Sequence, residues 1–388
     1  MQEGAMKEEY IKLYKHQERF VKTYPTKSYM AWEVGTGKTI GALATAEYRG
    51  YEKILVVAPR SAHLSWHNDN KHFGLKLDVI TYEHFRDKIN DVSKYDLVVF
   101  DEAHRLSYTK TQWTKKALQL RPKMRNVLML SGTPADKYHK LYSQIKILTN
   151  GNDELFRHFP SYTKFITHFF ELDEYLKPKR LKDRQYEIFL QSWFHKYADV
   201  VKRNDVIELP EISFYDIKLQ QVNLQYELSN YDLANFIKEY KASSLTKQKL
   251  EFVLDFIEED RATVVFSLFR DFVREAGKKL GSKVYAFTSE TPKHIVERAI
   301  HLQDKPIITT YILSEGANLQ RAYRNIVFAS MPLKYIDYEQ AIGRVYRAGQ
   351  GNKVAIYRIL QNEIDFIVKR IIEQKKDVAE YLKELSNV

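Results

Sequence analysis

Hydrophobic runs alternate with amphipathic segments over the first 150 residues. Four runs rich in aliphatic residues each end in a polar loop: KILVVAP (53–59), LDVIT (77–81), YDLVVFDEAH (95–104) and NVLMLSGTP (126–134). Segments with helical periodicity lie between them, for example TIGALATAEYRG and SAHLSWHNDNKHF. Buried strands that alternate with helices predict a parallel sheet covered on both faces. Residues 1–150 are therefore predicted to form one α/β lobe.

The same alternation returns in the second half of the chain. Five further strand-like runs are ATVVFS (262–267), KVYAFT (283–288), PIITT (306–310), NIVFAS (325–330) and KVAIYRIL (353–360). A charged amphipathic helix follows Asn362, so residues 206–388 predict a second α/β lobe. Residues 151–205 are aromatic-rich and helical in pattern, without a convincing strand, which predicts a helical insertion and bridge. ELPEIS (208–213) contains a proline and is interpreted as a connector.

Composition narrows the class of protein. At 388 residues with 44% hydrophobic content, the chain is long enough for two domains with proper cores. A formal net charge of +11 favours a polyanionic partner. The absence of cysteine excludes disulfides and thiolate zinc sites. Without a signal-peptide pattern or an apolar stretch of membrane length, we expect a soluble, intracellular, cytoplasmic protein without a membrane partner.

A phosphate-binding loop is predicted at AWEVGTGKTIGAL (31–43), although Trp32 stands where G-x-x-x-x-G-K-[ST] has its first glycine. Glycines let the backbone curl around a phosphate, lysine supplies a cation to the β and γ phosphates, and a helix begins behind them. Taken alone, the incomplete motif is as consistent with a chance match as with a working nucleotide site. The predicted ATP-binding residues are Gly35, Thr36, Gly37, Lys38 and Thr39, with the Thr39 hydroxyl directed at Mg²⁺.

A second motif supports the ATP site. Asp101, Glu102, Ala103 and His104 follow a hydrophobic run, where a metal carboxylate and a water-orienting residue are expected. Asp101 would hold Mg²⁺ through its water shell, and Glu102 would orient the attacking water. A solvated acidic loop is the alternative for this tetrad in isolation. Together with the phosphate loop, it predicts ATP hydrolysis.

GTGKT, DEAH and SGTP, in this order, resemble the first domain of superfamily-two helicases, and the chain is most similar to the Swi/Snf group of DNA translocases over nearly its whole length. The resemblance implies an α/β fold of two RecA-like parallel-sheet lobes, with ATP and Mg²⁺ as cofactors. LYKHQERFV looks like the glutamine motif and implies that Gln17 recognises adenine. LSGTP resembles the segment that couples hydrolysis to domain movement, through Ser131 and Thr133.

The remaining motifs are assigned by the same resemblance. YEQAIGRVYRAGQ (338–350) resembles the Q-x-x-x-R-x-x-R-x-G-Q element, which implies catalytic roles for Gln340, Arg344 and Arg347. The spacing of the two arginines places them on one face of a helical turn. By spacing alone, an ordinary surface helix is favoured over a catalytic role. IITTYILSEGANLQRA implies that Glu315 and Gly316 lie near the nucleotide, but Leu313, Ser314 and Tyr346 depart from the pattern. The implied contacts to a nucleic-acid backbone are Arg60, Ser61, Thr81, Tyr82, Ser267, Thr288, Ser289 and Thr310.

Two other signals carry less weight. His63 and His67 are spaced four apart but lack the glutamate of H-E-x-x-H, so solvated histidines are favoured over a metal site. The basic run LKPKRLKDR could contact DNA or form a solvated helix face.

The expected function is an ATP-dependent motor on nucleic acid, with double-stranded DNA as the favoured substrate, acting as a monomer with an unidentified protein partner for targeting. ATP would be fully coordinated only when the two lobes close. One rival is a helicase that separates DNA or RNA strands, and another is a nucleic-acid clamp or regulatory subunit with weak ATPase activity.

Overall fold

The structure is a computed structural model that describes residues 12–24, 27–135, 137–206, 208–222, 233–314 and 318–384. These residues fall into two compact units. The first is formed within Met1–Val206 and includes the chain from Val378, and the second is formed within Ile207–Asp377.

The first unit is built on a six-stranded parallel sheet in the order β3-β2-β4-β5-β1-β8. Its described strands are β1 Lys27–Trp32, β2 Lys53–Val57, β3 Lys76–Ile80, β4 Leu97–Asp101, β5 Asn126–Leu130, β6 Phe170–Leu172, β7 Pro178–Leu181 and β8 Ala198–Val201. Its described helices are α1 Lys15–Thr23, α2 Lys38–Tyr48, α3 His63–Asn70, α4 Tyr82–Lys88, α5 Gln112–Leu120, α6 Leu141–Thr149, α7 Glu154–His158, α8 Tyr162–Phe169, α9 Arg184–His195 and α10 Arg203–Val206.

The second unit has a parallel sheet of its own, in the order β11-β12-β10-β13-β14-β9. Its described strands are β9 Ile212–Lys218, β10 Thr263–Phe266, β11 Tyr285–Phe287, β12 Ile307–Thr309, β13 Asn325–Phe328 and β14 Val354–Leu360. Its described helices are α11 Leu233–Ser244, α12 Lys247–Glu259, α13 Arg270–Leu280, α14 Lys293–Leu302, α15 Tyr335–Val345 and α16 Glu363–Glu384. The predicted α/β architecture with two parallel sheets is confirmed.

The segment 151–205 differs from its prediction because it contains three strands. β6 and β7 form an antiparallel hairpin, and β8 pairs in parallel with β1, with Asp199 opposite Met30. A strand of four residues is too short to show a period, and only its pairing with β1 identifies it. The segment therefore completes the first sheet. In the second unit, part of the predicted connector 208–213 belongs to β9, which pairs with β14.

Side chains of β1 alternate between the two faces of the first sheet. Tyr29 and Ala31 belong to the hydrophobic core on one face, whereas Met30 and Trp32 belong to the core on the other, with residues of α1 and α2. This alternation is the period of two that a β-strand imposes. The side chain of Trp32 therefore points into the core, and only its backbone continues into the loop that follows.

Leu176, at the turn between β6 and β7, has an unusual backbone conformation. Its φ is 56°, in the left-handed region that glycine and asparagine favour. The turn itself is held by Asp173, whose Oδ1 accepts hydrogen bonds from the backbone N–H groups of Tyr175 at 2.9 Å and Lys177 at 2.8 Å. A leucine in this conformation costs roughly 1–2 kcal/mol.

A buried ion pair holds the second unit together at one point. Lys249 Nζ lies 2.7 Å from Asp365 Oδ1, and both side chains are fully buried. Asp365 Oδ2 also accepts hydrogen bonds from Ser243 Oγ and from the backbone N–H groups of Gln361 and Asn362, at 2.9–3.0 Å. The carboxylate therefore joins α11 and α12 to the start of α16.

We expect Lys249→Met to destabilise the second unit by about 3 kcal/mol, because it leaves the Asp365 carboxylate buried without its cation. Lys247→Met is the matched control on the same helix. The Lys247 side chain is 82% exposed and pairs with Glu251, so its loss should change stability by less than about 0.5 kcal/mol. Urea unfolding followed by circular dichroism measures both. Equal effects of the two substitutions would contradict the assignment.

Candidate active site

The loop between β1 and α2 has the backbone shape of a phosphate-binding loop. Gly35 and Gly37 have φ angles of 89° and 82°, and α2 begins directly after Gly37. A Cβ atom at Gly37 would meet the side-chain nitrogen of Gln17, which would have to move. Gly37 is thus required by its backbone conformation. The loop leaves the first N–H groups of α2 directed at its concave side, where an anion is stabilised.

Trp32 is accommodated because its side chain packs beneath the loop. Two of its ring carbons lie 2.7 and 2.9 Å from the position that a Cβ atom of Gly41 would occupy. Its ring also meets those of His16 and Phe20 edge-on, and its Nε1 donates a 2.7 Å hydrogen bond to Asp199 Oδ2. The absence of a side chain at Gly41, on α2, leaves room for the Trp32 ring. The tryptophan is therefore part of the loop's support.

Lys38 and Asp101 supply opposite charges at the end of the sheet. Lys38 Nζ donates hydrogen bonds to the backbone oxygens of Trp32 and Glu33 at 3.0 and 3.1 Å. Burial raises the pKa of Asp101 to about 6, and the nearby charge of Glu102 also raises it, whereas Lys38 opposes the shift. Asp101 keeps two donors, the Trp66 indole N–H at 2.9 Å and the backbone N–H of Glu102 at 3.0 Å.

Glu102, His104 and Ser131 form a polar chain between the DEAH and SGTP segments. His104 Nδ1 lies 3.2 Å from Glu102 Oε2 and 3.2 Å from Ser131 Oγ. Glu102 has a φ of 51°, a strained value for a glutamate. Ser131 Oγ also accepts a hydrogen bond from the backbone N–H of Thr133 at 3.2 Å. A movement of Glu102 at the end of β4 can therefore reach the SGTP segment through His104.

SGTP also touches the phosphate loop. The Cβ position of Gly132 is 3.1 Å from a methyl carbon of Val34 and 3.2 Å from its backbone nitrogen. The backbone N–H of Ser131 donates to the Met30 oxygen at 3.1 Å. The first unit thus brings the GTGKT, DEAH and SGTP segments together.

Helix α1 contacts the back of the loop. Gln17 Nε2 donates to the Gly37 oxygen at 2.9 Å, and Gln17 Oε1 accepts from the Tyr14 N–H at 2.8 Å. His16 Nε2 lies 2.9 Å from the Thr36 oxygen. Recognition of adenine by Gln17 stays a prediction. The structure shows that side chains of α1 contact the backbone oxygens of the loop directly.

The donors present suit a magnesium ion that comes with its nucleotide. Asp101 offers a buried carboxylate, and Thr39 is half-buried at the start of α2. Among the described residues, no group of three or more His, Cys, Asp or Glu side chains could hold a metal by itself. A hydroxyl and a single carboxylate fit Mg²⁺, which keeps several waters and takes other ligands from phosphates.

The residues predicted to contact nucleic acid have very different surroundings. Arg60, Ser61 and Ser289 are exposed, and Thr81 caps α4 by accepting from the His84 N–H. Tyr82 is only 1% exposed and donates to the Asp101 oxygen at 2.8 Å, which weighs against a contact with nucleic acid. The other predicted contacts are buried in the second unit: Ser267, Thr288 and Thr310. All of these roles remain predictions.

In the second unit, α15 carries Gln340 and Arg344, both largely buried. The prediction that Arg344 and Arg347 share a helical turn is wrong, because α15 ends at Val345. Tyr346 leaves the helical conformation and its hydroxyl donates to the Pro210 oxygen at 3.1 Å. Arg347 instead donates to the side-chain oxygen of Asn318.

Two of the residues that depart from the motif pattern in the second unit, Leu313 and Tyr346, have packing or hydrogen-bonding roles. Leu313 is buried, in place of a glycine of the motif. The predicted nucleotide contacts Glu315 and Gly316 lie outside the described residues.

Sequence reasoning missed several residues of the site. Trp66 holds the Asp101 carboxylate, and Asp199 holds the Trp32 indole and the Arg19 guanidinium, with Arg19 Nη2 at 2.8 and 3.0 Å from its two oxygens. Arg203 donates its backbone N–H to Glu33 Oε2 at 2.7 Å. No local motif marks these residues, since each reaches the site from a different strand or helix.

Family comparisons agree with this geometry. Residues 61–141 match the family described as DEAD/DEAH box helicase, and residues 248–349 match the helicase conserved C-terminal domain. The first match contains the DEAH and SGTP segments, and the second contains Gln340, Arg344 and Arg347.

Similar proteins extend over more of the chain. A SWI/SNF-related regulator of chromatin, subfamily A-like protein 1 homolog, from Caenorhabditis elegans is 26% identical over 90% of this chain. The chain spans 58% of that relative's length. The uncharacterized ATP-dependent helicase YqhH of Bacillus subtilis is 23% identical over 93% of this chain and 77% of its own. The solved structure of Dbp5 from S. cerevisiae matches with a TM-score of 0.57 at 14% identity, covering 97% of this chain and 94% of Dbp5.

Two helicase domains in this order, on two parallel sheets, define a helicase-type protein of superfamily two. Within that superfamily, the chain is similar to SWI/SNF-related proteins. The predicted resemblance is confirmed. No helix among the described residues is both long enough and apolar enough to span a membrane.

Restoring the first glycine of the loop motif should damage the protein. We expect Trp32→Gly to lower the free energy of unfolding by about 3–5 kcal/mol, because it opens a cavity against Gly41 and Phe20. Trp32→Phe keeps most of the ring and loses the hydrogen bond to Asp199, so a decrease of about 1–2 kcal/mol is expected. Urea unfolding by far-UV circular dichroism measures both. A Trp32→Gly protein of native stability would contradict the supporting role.

Asp101 should destabilise the nucleotide-free fold at neutral pH. Its pKa is raised on folding, so the native state binds the proton more tightly and loses stability as the pH rises through about 6. Asp101→Asn removes the buried charge. We expect it to unfold at a higher temperature than the wild type at pH 8, by on the order of 2 kcal/mol in stability, and to show little difference near about pH 3, where the aspartate is protonated in both states. The opposite pH trend in melting temperature would disprove the shift.

Proposed function

We propose that the chain is an ATP-dependent motor on nucleic acid and that its substrate is double-stranded DNA. The observation that carries the proposal is the meeting of three segments in the first unit. The SGTP segment lies against the phosphate loop at Val34, and its Ser131 Oγ lies within hydrogen-bond distance of His104 in the DEAH segment. Such an arrangement can bind a nucleoside triphosphate and pass the change at its γ phosphate to a neighbouring segment.

Each residue has a defined part in this reaction. Lys38 would leave its backbone acceptors to bind the β and γ phosphates, and Thr39 and Asp101 would hold Mg²⁺, which neutralises phosphate charge. Glu102 would orient the attacking water. His104 lies between Glu102 and Ser131, so it would transmit a movement of the Glu102 carboxylate to the SGTP segment.

The second unit would supply the positive charge that stabilises the negative charge developing around the γ phosphate. The candidates are Arg344, which lies on α15 with Gln340, and Arg347, which lies beyond the end of that helix. An arginine acting on the transition state accelerates phosphoryl transfer by roughly 10³–10⁵-fold. Requiring both units for turnover would link hydrolysis to their movement, which is the step that a motor needs.

Duplex DNA is the favoured substrate because one relative is named as a SWI/SNF-related regulator of chromatin. Phosphate contacts would make binding strongly salt-dependent and little dependent on sequence. A strand-separating helicase is the second candidate, and RNA is possible because Dbp5 was solved with RNA bound. We further propose that the protein acts in the cytoplasm as a monomer and that a protein partner directs it to its site.

The decisive experiment is steady-state ATP hydrolysis with Mg²⁺ and no nucleic acid, duplex DNA, single-stranded DNA or RNA. We expect the strongest stimulation with duplex DNA. Stimulation by single strands or RNA alone would favour the helicase, and the absence of turnover in all four reactions would favour a clamp or regulatory subunit.

Lys38→Ala should abolish turnover while leaving DNA binding largely intact, because its side chain serves the phosphates. Lys53→Ala, an exposed lysine at the start of β2, is the control and should retain activity. ATPase rates and binding to labelled duplex measure the two properties separately. Equal loss of both in Lys38→Ala would mean that the lysine is structural.

A further inference from the structure

A single glutamine side chain joins three segments of the first unit. Gln144, on α6, is fully buried. Its Nε2 donates hydrogen bonds to the backbone oxygens of Pro134 and Lys140 at 2.9 and 3.1 Å, and to Ser107 Oγ at 3.1 Å. Its Oε1 accepts a hydrogen bond from the Tyr29 hydroxyl at 2.7 Å. The amide therefore contacts the SGTP segment, the turn that follows DEAH, and β1, which leads into the phosphate loop.

The partners of Gln144 fix the orientation of its amide group. The backbone oxygens of Pro134 and Lys140 can only accept hydrogen bonds, so the amide nitrogen must face them. The amide oxygen then faces Tyr29, and because it cannot donate, the Tyr29 hydroxyl gives its one proton to Gln144. The oxygen of that hydroxyl is consequently an acceptor for any other partner.

Ser131 is the donor to this tyrosine oxygen. It lies two residues beyond Met129, which pairs with Tyr29 in the sheet, so the side chains of Ser131 and Tyr29 are on the same face. Burial raises the pKa of Tyr29 well above its ordinary value, and a side-chain hydrogen bond from Ser131 opposes this shift. A hydrogen bond lowers the pKa of a tyrosine when it is donated to the oxygen, since it then stabilises the phenolate. The Ser131 hydroxyl proton is therefore directed at Tyr29.

The direction of these hydrogen bonds decides which nitrogen of His104 carries a proton. Ser131 Oγ accepts from the Thr133 N–H at 3.2 Å and lies 3.2 Å from His104 Nδ1. Because the Ser131 proton is used for Tyr29, His104 Nδ1 must be the donor in this contact. The same nitrogen lies 3.2 Å from Glu102 Oε2. Its proton is therefore shared between the serine hydroxyl and the glutamate carboxylate.

The other tautomer of His104 would weaken this arrangement. With the proton on Nε2, Nδ1 would present a lone pair to Glu102 Oε2, and two acceptors 3.2 Å apart repel each other. With the proton on Nδ1, the imidazole instead donates to the carboxylate that is proposed to orient the attacking water. The Glu102 side chain is only 16% exposed, so water would compensate little for a lost hydrogen bond.

We propose that Gln144 and Tyr29 are positioning residues that keep His104 in its Nδ1–H tautomer. They thereby hold the Glu102 carboxylate in place. Neither residue belongs to the GTGKT, DEAH or SGTP segments, and both act through Ser131 and His104. The inference deepens the proposed function and rests on it for the role of Glu102, whereas the position of the proton rests on the hydrogen bonds alone.

The test is ¹⁵N NMR of protein labelled at its histidines, recorded at about pH 8, where an ordinary imidazole is neutral. The chain has 12 histidines, and the spectrum of His104→Gln identifies the signal of His104. We expect the Nδ1–H form to predominate in the wild type. In Gln144→Leu and in Tyr29→Phe it should fall below about half, because the Ser131 hydroxyl can then donate to His104 Nδ1.

Two further variants separate positioning from packing. Gln144→Glu keeps an oxygen that accepts from Tyr29, so it should retain the tautomer of the wild type. Gln191→Leu is the matched control, because Gln191 is also fully buried, on α9, and donates to the Tyr138 hydroxyl at 2.6 Å. It should lower the melting temperature without moving the proton on His104. Tyr29→Phe removes only a hydroxyl and decides the question if Gln144→Leu does not fold.

ATPase activity with saturating nucleic acid gives the functional readout. Gln144→Leu should lower kcat about tenfold while the KM for ATP stays within about threefold of the wild type, because the amide acts on the water-orienting carboxylate and not on the phosphate loop. Gln191→Leu should keep kcat within about twofold. A changed tautomer with unchanged kcat in Gln144→Leu would overturn the positioning role.

The NMR result can contradict the inference by itself. A wild type with the proton of His104 on Nε2 would overturn it, as would an unchanged tautomer in both Gln144→Leu and Tyr29→Phe. An equal change in Gln191→Leu would also overturn it, because general loosening of the core would then be the cause. A wild type without turnover that shows the Nδ1–H form, and loses it in Gln144→Leu, would support the assigned proton and refute the motor.

Discussion

The register of β1 between β5 and β8 is the constraint on which the candidate active site depends. Met30 lies opposite Leu130 on one side and Asp199 on the other. This pairing places the phosphate loop beside SGTP, where the Ser131 N–H reaches the Met30 oxygen, and places Asp199 beneath Trp32. A slip of one residue would move the carboxylate of Asp199 to the opposite face and bury it without its donors.

Much of this arrangement could be predicted from the sequence, because the active-site segments are continuous in the chain. Continuous apolar runs marked nine of the strands, and glycine, lysine and acidic residues at fixed spacing marked the loop and the carboxylate of Asp101. The supporting contacts could not be predicted in this way. Asp199 lies 167 residues from the indole that it binds, and Trp66 lies 35 residues from Asp101. Such pairings arise from sheet order, which hydrophobic period does not encode.

Several of the errors arise where an element is short or where a distant contact decides its end. β8 has four residues and the hairpin strands β6 and β7 have three and four, too few for alternation to be detected. The end of α15 is likewise set by a tertiary contact, the hydrogen bond of Tyr346 to Pro210, and not by a glycine or proline at that point. Where a distant partner decides the local conformation, local propensity is overruled.

Each unit buries a carboxylate, and the two carboxylates differ in how far their charge is compensated. Asp365 has a lysine and three further donors, so its charge is fully compensated and serves the fold. Asp101 has two donors and the more distant influence of Lys38, and its pKa is raised to about 6. A carboxylate whose negative charge is only partly compensated is stabilised strongly when a cation binds to it, whereas a fully compensated carboxylate is stabilised little. The incomplete compensation of Asp101 therefore suits the proposed binding of a metal ion together with its nucleotide.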